Sequence, residues 1–186
     1  MKNIFLCMMV FILFGIDLFA QVKTENQLSY KPVVVPNGST LKHKMIDGAK
    51  TFHLTAEEFE HEFAPGLKAI VWGYNKGTPG PVIEAVVGDH VKIYVTNKLN
   101  ESTSIHWHGI ILPSGMDGVA GLTQKAILPG ETFLYEFTFK FAGTFMYHPH
   151  GDEMTQMAMG MVGMIVIHPA KLSDQNFRNV PPNRLF

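Results

Sequence analysis

Cysteine is almost absent from this sequence, since its 186 residues include only Cys7. Cys7 lies inside an apolar N-terminal run, and we predict that residues 1–20 are a signal peptide that is removed on export. The exported chain would then contain no thiol and could form no disulfide. It also could not build a blue-copper site, because that site needs a cysteine thiolate beside two histidines.

The N-terminal segment has the order of features expected of a secretory signal. Lys2 supplies the positive charge, residues 4–18 are almost wholly apolar, and Ala20 offers a small residue for cleavage. The cysteine of a lipoprotein signal would follow the apolar run, whereas Cys7 is within it. We therefore expect a periplasmic or secreted protein, and an uncleaved N-terminal anchor is the alternative.

The sequence also lacks an excess of charge of either sign. It has 15 Lys and Arg residues against 16 Asp and Glu residues, a formal net charge of −1. This balance gives no electrostatic reason to expect a nucleic-acid partner, or any membrane partner beyond the signal segment. The length predicts one domain. We place an N-terminal arm at 21–48, the domain at 49–170 and a linker at 171–186, leading toward a second domain that is absent here.

Short β-branched and aromatic runs separated by Gly and Pro turns predict an all-β fold. Gly88-Asp89 has the composition of a hairpin turn, and the acidic residues 57–60 suggest one helical turn. Seven to eight strands with a turn every eight to twelve residues are typical of a Greek-key β-sandwich or barrel. The predicted strands include 67–74, 82–87, 90–96, 124–128, 133–139, 143–148 and 161–167.

Two His-x-His motifs, His106-Trp107-His108 and His148-Pro149-His150, lie in segments that we predict to be extended. Alternate side chains of a strand share one face about 6.5 Å apart, and neighbouring strands lie about 4.8 Å apart. Two such strands side by side would bring four imidazoles onto one patch. The pattern predicts a site for several metal ions, with copper or zinc as chemical options. Histidines that bind no metal are the alternative.

Several further motifs accompany the histidines in a fixed order. In chain order the motifs are Thr78-Pro79-Gly80-Pro81, Gly88-Asp89, His106-Trp107-His108-Gly109, Met116-Asp117-Gly118, Pro129-Gly130-Glu131 and Tyr147-His148-Pro149-His150. Together they resemble the N-terminal plastocyanin-like (cupredoxin) domain of multicopper oxidases, especially the laccase-like and bacterial copper-resistance types, over about residues 50–169.

The resemblance implies specific roles. In such oxidases a type 1 copper passes electrons to a trinuclear cluster that reduces O₂ to water, and the first domain supplies half of the cluster's histidine ligands. By this resemblance His106 would hold the type 2 copper, and His108, His148 and His150 would hold the type 3 pair. Asp117 matches an acid that assists proton delivery to oxygen. A simple turn residue before Gly118 is the alternative for Asp117.

The chain departs from the family pattern because it lacks the type 1 cysteine motif and further His-x-His motifs. We therefore interpret it as the first domain of an exported oxidase that acts on phenolic or metal-ion donors. A second cupredoxin domain or a partner chain would complete the cluster, and the chain alone would be inactive. The alternative is a stand-alone periplasmic cupredoxin that buffers or delivers copper. A copper nitrite reductase relative is disfavoured, since that class needs a cysteine in its first domain.

Five methionines follow the second histidine motif, at positions 154, 157, 159, 161 and 164. Thioethers are soft ligands that suit Cu(I), so a copper-loading patch is one interpretation. Methionine also fills irregular gaps in cores, and this second interpretation is favoured for Met161 and Met164. The other histidines have no partner at a ligand spacing, and we predict that they do not bind metal: His43, His53, His61, His90 and His168.

Overall fold

The computed structural model describes residues 28–36, 38–171 and 174 of the chain. The predicted signal peptide and nearly all of the predicted linker lie outside this part. Strands dominate, and the helices within the described ranges are a 3₁₀ helix at Ser114–Met116 and α1 at Glu153–Ala158. The strands are β1 Lys44–Ile46, β2 Ala49–Ala64, β3 Leu67–Tyr74, β4 Ile83–Val86, β5 His90–Asn97, β6 His106–His108, β7 Thr132–Thr138, β8 Gly143–His148 and β9 Gly163–His168.

The strands form two sheets that pack face to face. The larger sheet has the order β1-β2-β5-β7, with β3 paired to the distal half of β2, and the smaller sheet has the order β4-β9-β8-β6. β2 pairs with β5 and β4 with β9 in parallel, and the remaining strand pairs are antiparallel. The prediction of an all-β sandwich is confirmed.

Aromatic side chains fill the space between the sheets. Trp107 is fully buried, and its ring meets the rings of Tyr135 and Phe137 edge-on at centroid distances of 5.1 and 5.6 Å. Edge-to-face contacts of this kind stabilise a core beyond the burial of area alone. Since alternate residues of a strand point to opposite faces, inward packing of Trp107 turns His106 and His108 outward.

The predicted hairpin at Gly88-Asp89 is wrong. β4 belongs to the smaller sheet and β5 to the larger one, so the chain crosses between the sheets at this turn. Asp89 Oδ2 accepts a hydrogen bond from Val86 N, and Gly88 N donates to Phe139 O. The backbone N–H and C=O groups are therefore hydrogen-bonded as well at this corner between sheets as they would be in a hairpin. For this reason the local sequence could not distinguish a corner from a hairpin.

Two other local predictions are also wrong. The acidic stretch 57–60 is part of the long strand β2, because pairing with β3 places Glu58 opposite Trp72, whose Nε1 donates to the carboxylate over 2.8 Å. Residues 124–128 form single bridges instead of a strand, with Ile127 opposite Thr103. No helix in the described ranges is both long and apolar enough to cross a membrane.

The described residues that precede β1, from position 28 onward, lie along the smaller sheet. Tyr30 stacks on the ring of His168 at a centroid distance of 3.9 Å, and Val33 N donates to the carboxylate of Glu84. The same carboxylate oxygen lies 2.8 Å from His168 Nε2. His168 therefore has a structural partner, and Thr40 pairs with Val82 at the sandwich edge.

Candidate metal centre

The pairing of β6 with β8 brings the two histidine motifs together. His106 lies opposite His148, Trp107 opposite Tyr147 and His108 opposite Met146. Trp107 and Tyr147 point into the core, so the histidines share the outer face of the smaller sheet. β6 is an edge strand of that sheet, and His108 is exposed. The predicted patch of imidazoles is therefore open on one side.

Three of the four predicted ligands converge. Each of His106, His108 and His148 offers a ring nitrogen within 4.8 Å of the other two, and His108 Nδ1 lies 3.1 Å from His148 Nε2. Two nitrogens on one tetrahedral ion, each about 2.0–2.1 Å from it, are about 3.3 Å apart. The observed spacing therefore fits two ligands of the same ion.

Main-chain carbonyls fix which nitrogen is available on two of these rings. His106 Nδ1 donates to Asp117 O over 2.7 Å, and His148 Nδ1 donates to Pro149 O over 2.9 Å. A carbonyl can only accept, so each ring carries its proton on Nδ1 and presents an Nε2 lone pair. Such partners behind a ligand hold the ring in position and raise its basicity. His108 Nδ1–H then donates to His148 Nε2. A metal ion bound by these two nitrogens would take the place of the proton between them.

His150 lies beside this group and outside it. β8 ends at His148, and the ring of His150 is 5.5 Å from that of His106 and 6.4 Å from that of His148. Its Nε2 is 3.8 Å from a carboxylate oxygen of Glu153. The structure therefore brings three of the predicted ligands together and places the fourth next to them, where it could serve a second ion.

The burial of His148 favours the form of the ring that binds metal. Only 2% of the residue is exposed, and this burial lowers the pKa of His148, while the Pro149 carbonyl and Glu153 act in the opposite direction. Metal ions bind the neutral imidazole, so protons compete less at a ring whose pKa is lowered.

The loop that carries Asp117 packs directly against the start of β6. Ser104 Oγ donates to Gly118 O over 2.6 Å. Gly118 has a φ of 86°, and a Cβ at this position would lie 1.7 Å from Ile105 O. Only glycine fits this approach. The Asp-Gly pair thus fixes the carbonyl that orients His106, while the Asp117 carboxylate lies 3.5 Å from the same ring nitrogen.

Helix α1 brings an acid to the site that sequence reasoning missed. Glu153 places one carboxylate oxygen 3.6 Å from His148 Nδ1 and the other 3.8 Å from His150 Nε2. Asp152 caps the helix by accepting from Thr155 N, and Glu153 occupies the first turn. An N-cap residue followed by an acid directly after the histidine motif was the signal that could have revealed this helix.

A buried amide holds α1 against the chain just before β6. Gln156 is fully buried, and its Oε1 accepts from Thr103 Oγ1 over 2.7 Å. Its Nε2 donates to Glu101 Oε1 and to Ser102 O at 2.6 and 2.9 Å. These bonds link the helix that carries Glu153 to the segment that leads into His106.

The methionines near the site have different environments. Met161 is fully buried in the core, whereas Met154 on α1 is 87% exposed. Met164 lies in β9 opposite Met146 of β8. Core packing, one of the two interpretations above, accounts for Met161.

The donor set suits copper. In the described ranges, the three converging histidines are the one group of His, Cys, Asp or Glu side chains with a metal-ligand spacing. Imidazole suits copper and zinc alike, while the predicted exported chain has no thiolate to offer. The remaining described histidines have other neighbours: His53 stacks on Tyr94, His90 pairs with Glu136, and His61 contacts Phe63.

Comparison with known proteins relates these features to one family. The sequence model of the multicopper oxidase family matches residues 55–172. The chain is 50% identical over 93 residues to copper resistance protein A of Escherichia coli, covering 50% of this chain and 15% of the relative. It is 41% identical over 128 residues to L-ascorbate oxidase of Nicotiana tabacum, covering 67% of this chain and 22% of the relative. The matched part is thus less than a quarter of each relative.

Solved structures agree with this relationship. The multicopper oxidase from Campylobacter jejuni, described as a metallo-oxidase, superposes with a TM-score of 0.67 at 33% identity, covering 80% of this chain and 33% of that one. A multi-copper oxidase from Pseudomonas thermotolerans gives a TM-score of 0.63 at 40% identity, covering 65% and 30% of the two chains. The sandwich is therefore cupredoxin-like.

Proposed function

Because the chain belongs to the multicopper oxidase family and carries its N-terminal cupredoxin domain, we propose that it supplies one half of a type 2/type 3 trinuclear copper site. His106 would hold the type 2 ion, and His108, His148 and His150 would hold the type 3 pair. The proposal rests chiefly on the convergence of the ring nitrogens of His106, His108 and His148 within 4.8 Å.

The open side of the histidine patch suits a site that is completed by another domain or chain. β6 is an edge strand, and His108 on it is exposed. Copper bound there would supply one-electron chemistry toward O₂. The remaining ligands and the type 1 centre would come from a second cupredoxin domain or a partner chain, and the electron donor would be a phenol or a metal ion. We further propose that the protein is exported to the periplasm or secreted.

The residues of this chain would position ligands and handle protons. The carbonyls of Asp117 and Pro149 hold the rings of His106 and His148 so that each directs Nε2 to the metal. The Asp117 carboxylate, 3.5 Å from His106 Nδ1 and partly exposed, could carry a proton between solvent and the site at Oδ1. This is the acid role that we propose for Asp117.

Copper titration of the purified chain tests the proposal directly. We expect copper to bind in preference to zinc, with electron paramagnetic resonance showing nitrogen ligands and with loss of binding after His106→Gln or His148→Gln. The chain alone should not consume O₂ in the presence of a phenolic donor. Preferential zinc binding, or copper binding that survives both substitutions, would contradict the assignment of these ligands.

A copper-delivery function is a second candidate, and the exposure of His108 at the sheet edge favours it. An ion held at an open edge could pass to an acceptor without unfolding the site. Transfer of bound copper to an apo-acceptor protein faster than spontaneous release would support delivery. Measurable oxidase turnover by the chain alone would exclude it.

A further inference from the structure

Two thioethers and one imidazole lie in a row across the smaller sheet. His108 of β6 is opposite Met146 of β8, and Met146 is opposite Met164 of β9. These three strands are neighbours in the order β9-β8-β6, so Met146 is the middle member of the row. Directly opposite residues of antiparallel strands have Cβ atoms about 4.5–5.5 Å apart. The row therefore places two methionines beside one member of the histidine group.

The two methionines of this row point away from the core. Each is followed by a fully buried residue, Tyr147 after Met146 and Ile165 after Met164, and alternate side chains of a strand take opposite faces. Neither methionine belongs to the core or to the half-buried hydrophobic residues that pack against it. The core-packing interpretation that accounts for Met161 therefore does not extend to Met164.

His108 has a ring nitrogen free for this row. Its Nδ1 lies 3.1 Å from His148 Nε2 and carries the proton that it donates there. The Nε2 atom of His108 then has a lone pair, and the residue is exposed. A neutral imidazole binds a metal ion through such a nitrogen. His108 can therefore contribute Nε2 to the row while Nδ1 keeps its contact with His148.

Two thioethers and one imidazole make a donor set that selects cuprous copper. Thioether sulfur is a soft ligand that suits Cu(I), and imidazole suits copper in general. Zinc sites in proteins use cysteine, histidine and carboxylate ligands, so methionines disfavour zinc. Methionine also has three rotatable bonds, so both sulfurs can turn toward an ion above the middle of the row. The strands fix the spacing, and only the side chains must adjust.

We propose that His108, Met146 and Met164 form a binding site for one Cu(I) ion. Its ligands would be His108 Nε2 and the two methionine Sδ atoms. The site would adjoin the histidine group and share His108 with it, and this relation to a copper centre rests on the function proposed above. The Cu(I) site itself does not depend on an oxidase function, because its two methionines take no part in the type 2/type 3 centre.

Titration of the purified full chain with Ag(I), a redox-inert mimic of Cu(I), locates the ion. We expect the methyl NMR signals of Met146 and Met164 to shift together and to saturate. X-ray absorption of the chain loaded anaerobically with Cu(I) should show sulfur ligands. Methyl shifts confined to Met154 and Met157 of α1, or a Cu(I) spectrum without sulfur, would overturn the proposal.

Substitutions test whether the two methionines bind the ion or only lie near it. Met146→Leu combined with Met164→Leu removes both sulfurs and should weaken Cu(I) binding about tenfold or more in competition with bicinchoninate. Leucine has a similar volume, so the fold should be retained, which circular dichroism checks. Met154→Leu combined with Met157→Leu removes two thioethers from α1 and should leave the Cu(I) affinity unchanged. Equal losses in the two double variants, or no loss in the first, would overturn the proposal.

Cu(II) binding separates this inference from the proposed function. Electron paramagnetic resonance detects Cu(II) at the histidine group, whereas Cu(I) has no unpaired electron and gives no signal. The nitrogen-ligand Cu(II) signal should be unchanged in the Met146→Leu, Met164→Leu variant. A wild-type chain that binds Cu(I) through sulfur but gives no such Cu(II) signal would overturn the proposed function alone. Loss of sulfur-bound Cu(I) in His106→Gln would overturn the separate Cu(I) site.

Discussion

His106 Nδ1 donates to the main-chain carbonyl of Asp117 over 2.7 Å, whereas the carboxylate of the same residue lies 3.5 Å from that nitrogen. The backbone of Asp117 thus orients the ring, and its carboxylate is left available for the proton transfer proposed above. The two contributions can be separated by mutation, because a change of side chain at position 117 leaves the carbonyl in place.

We predict that Asp117→Asn retains copper binding while Gly118→Ala weakens it. The alanine Cβ would lie 1.7 Å from Ile105 O, so the loop must move and the carbonyl behind His106 moves with it. Loss of such a partner typically weakens metal binding about 10–100-fold. Competition with a chromophoric chelator measures the affinity, and circular dichroism checks the fold. Asp117→Asn losing as much affinity as Gly118→Ala would show that the carboxylate holds the ring.

The two histidines of the second motif, His148 and His150, should differ in what they do for the first bound ion. We predict that His148→Gln abolishes tight binding of the first copper, because its Nε2 lies 3.1 Å from His108 Nδ1, a spacing that fits two ligands of one ion. His150→Gln should retain the first copper and lose any second one, since its ring lies outside the three-histidine group. Metal analysis after titration gives the stoichiometry of each variant. Loss of the first ion in His150→Gln would place that residue in the primary site.

Strand periodicity was sufficient to predict that His106 and His108 share one face of a strand, because alternation is a local property. It could not reveal that Val86 and His90 belong to different sheets, since the same turn residues serve hairpins and corners. The acidic stretch 57–60 looked helical because its partner strand is set by long-range pairing. Glu153 was missed for the same reason, as its approach to His148 depends on where α1 packs.

Gln156 should be important for stability although it touches no histidine. We predict that Gln156→Leu lowers the free energy of unfolding by about 1–3 kcal/mol, because Thr103 Oγ1 would lose its shorter hydrogen bond and both Glu101 Oε1 and Ser102 O would lose a donor. Urea denaturation measures the change. Thr155→Ala, at an exposed position of the same helix, is the matched control and should change stability by less than about 0.5 kcal/mol. Similar losses in both variants would indicate a general effect on α1.

Copper binding by the histidines should not depend on Met154 and Met157 of α1 or on Met159, which follows the helix. We predict that replacing Met154, Met157 and Met159 together with Leu leaves copper stoichiometry and the rate of Cu(I) uptake unchanged, because leucine preserves the apolar contacts. Stopped-flow uptake under anaerobic conditions measures the rate. A several-fold slower uptake with unchanged final stoichiometry would instead support a methionine copper-loading patch.

The lowered pKa of His148 should make the metal-free chain sensitive to acid. Burial lowers this pKa in the folded chain below 6.5, its value in the unfolded chain. Between those two pKa values the unfolded state binds more protons, so the free energy of unfolding falls as the pH drops below about 6.5. The shift at His43 acts in the same direction, and the lowered pKa of Glu136 acts only below about 4.5.

We therefore expect His148→Gln to show a shallower loss of stability between about pH 7 and pH 5.5 in urea denaturation with chelator present. His61→Gln, on the β2–β3 hairpin, controls for the loss of a histidine and should follow the wild-type slope. A slope in His148→Gln as steep as that of the wild type would assign the acid sensitivity to other groups.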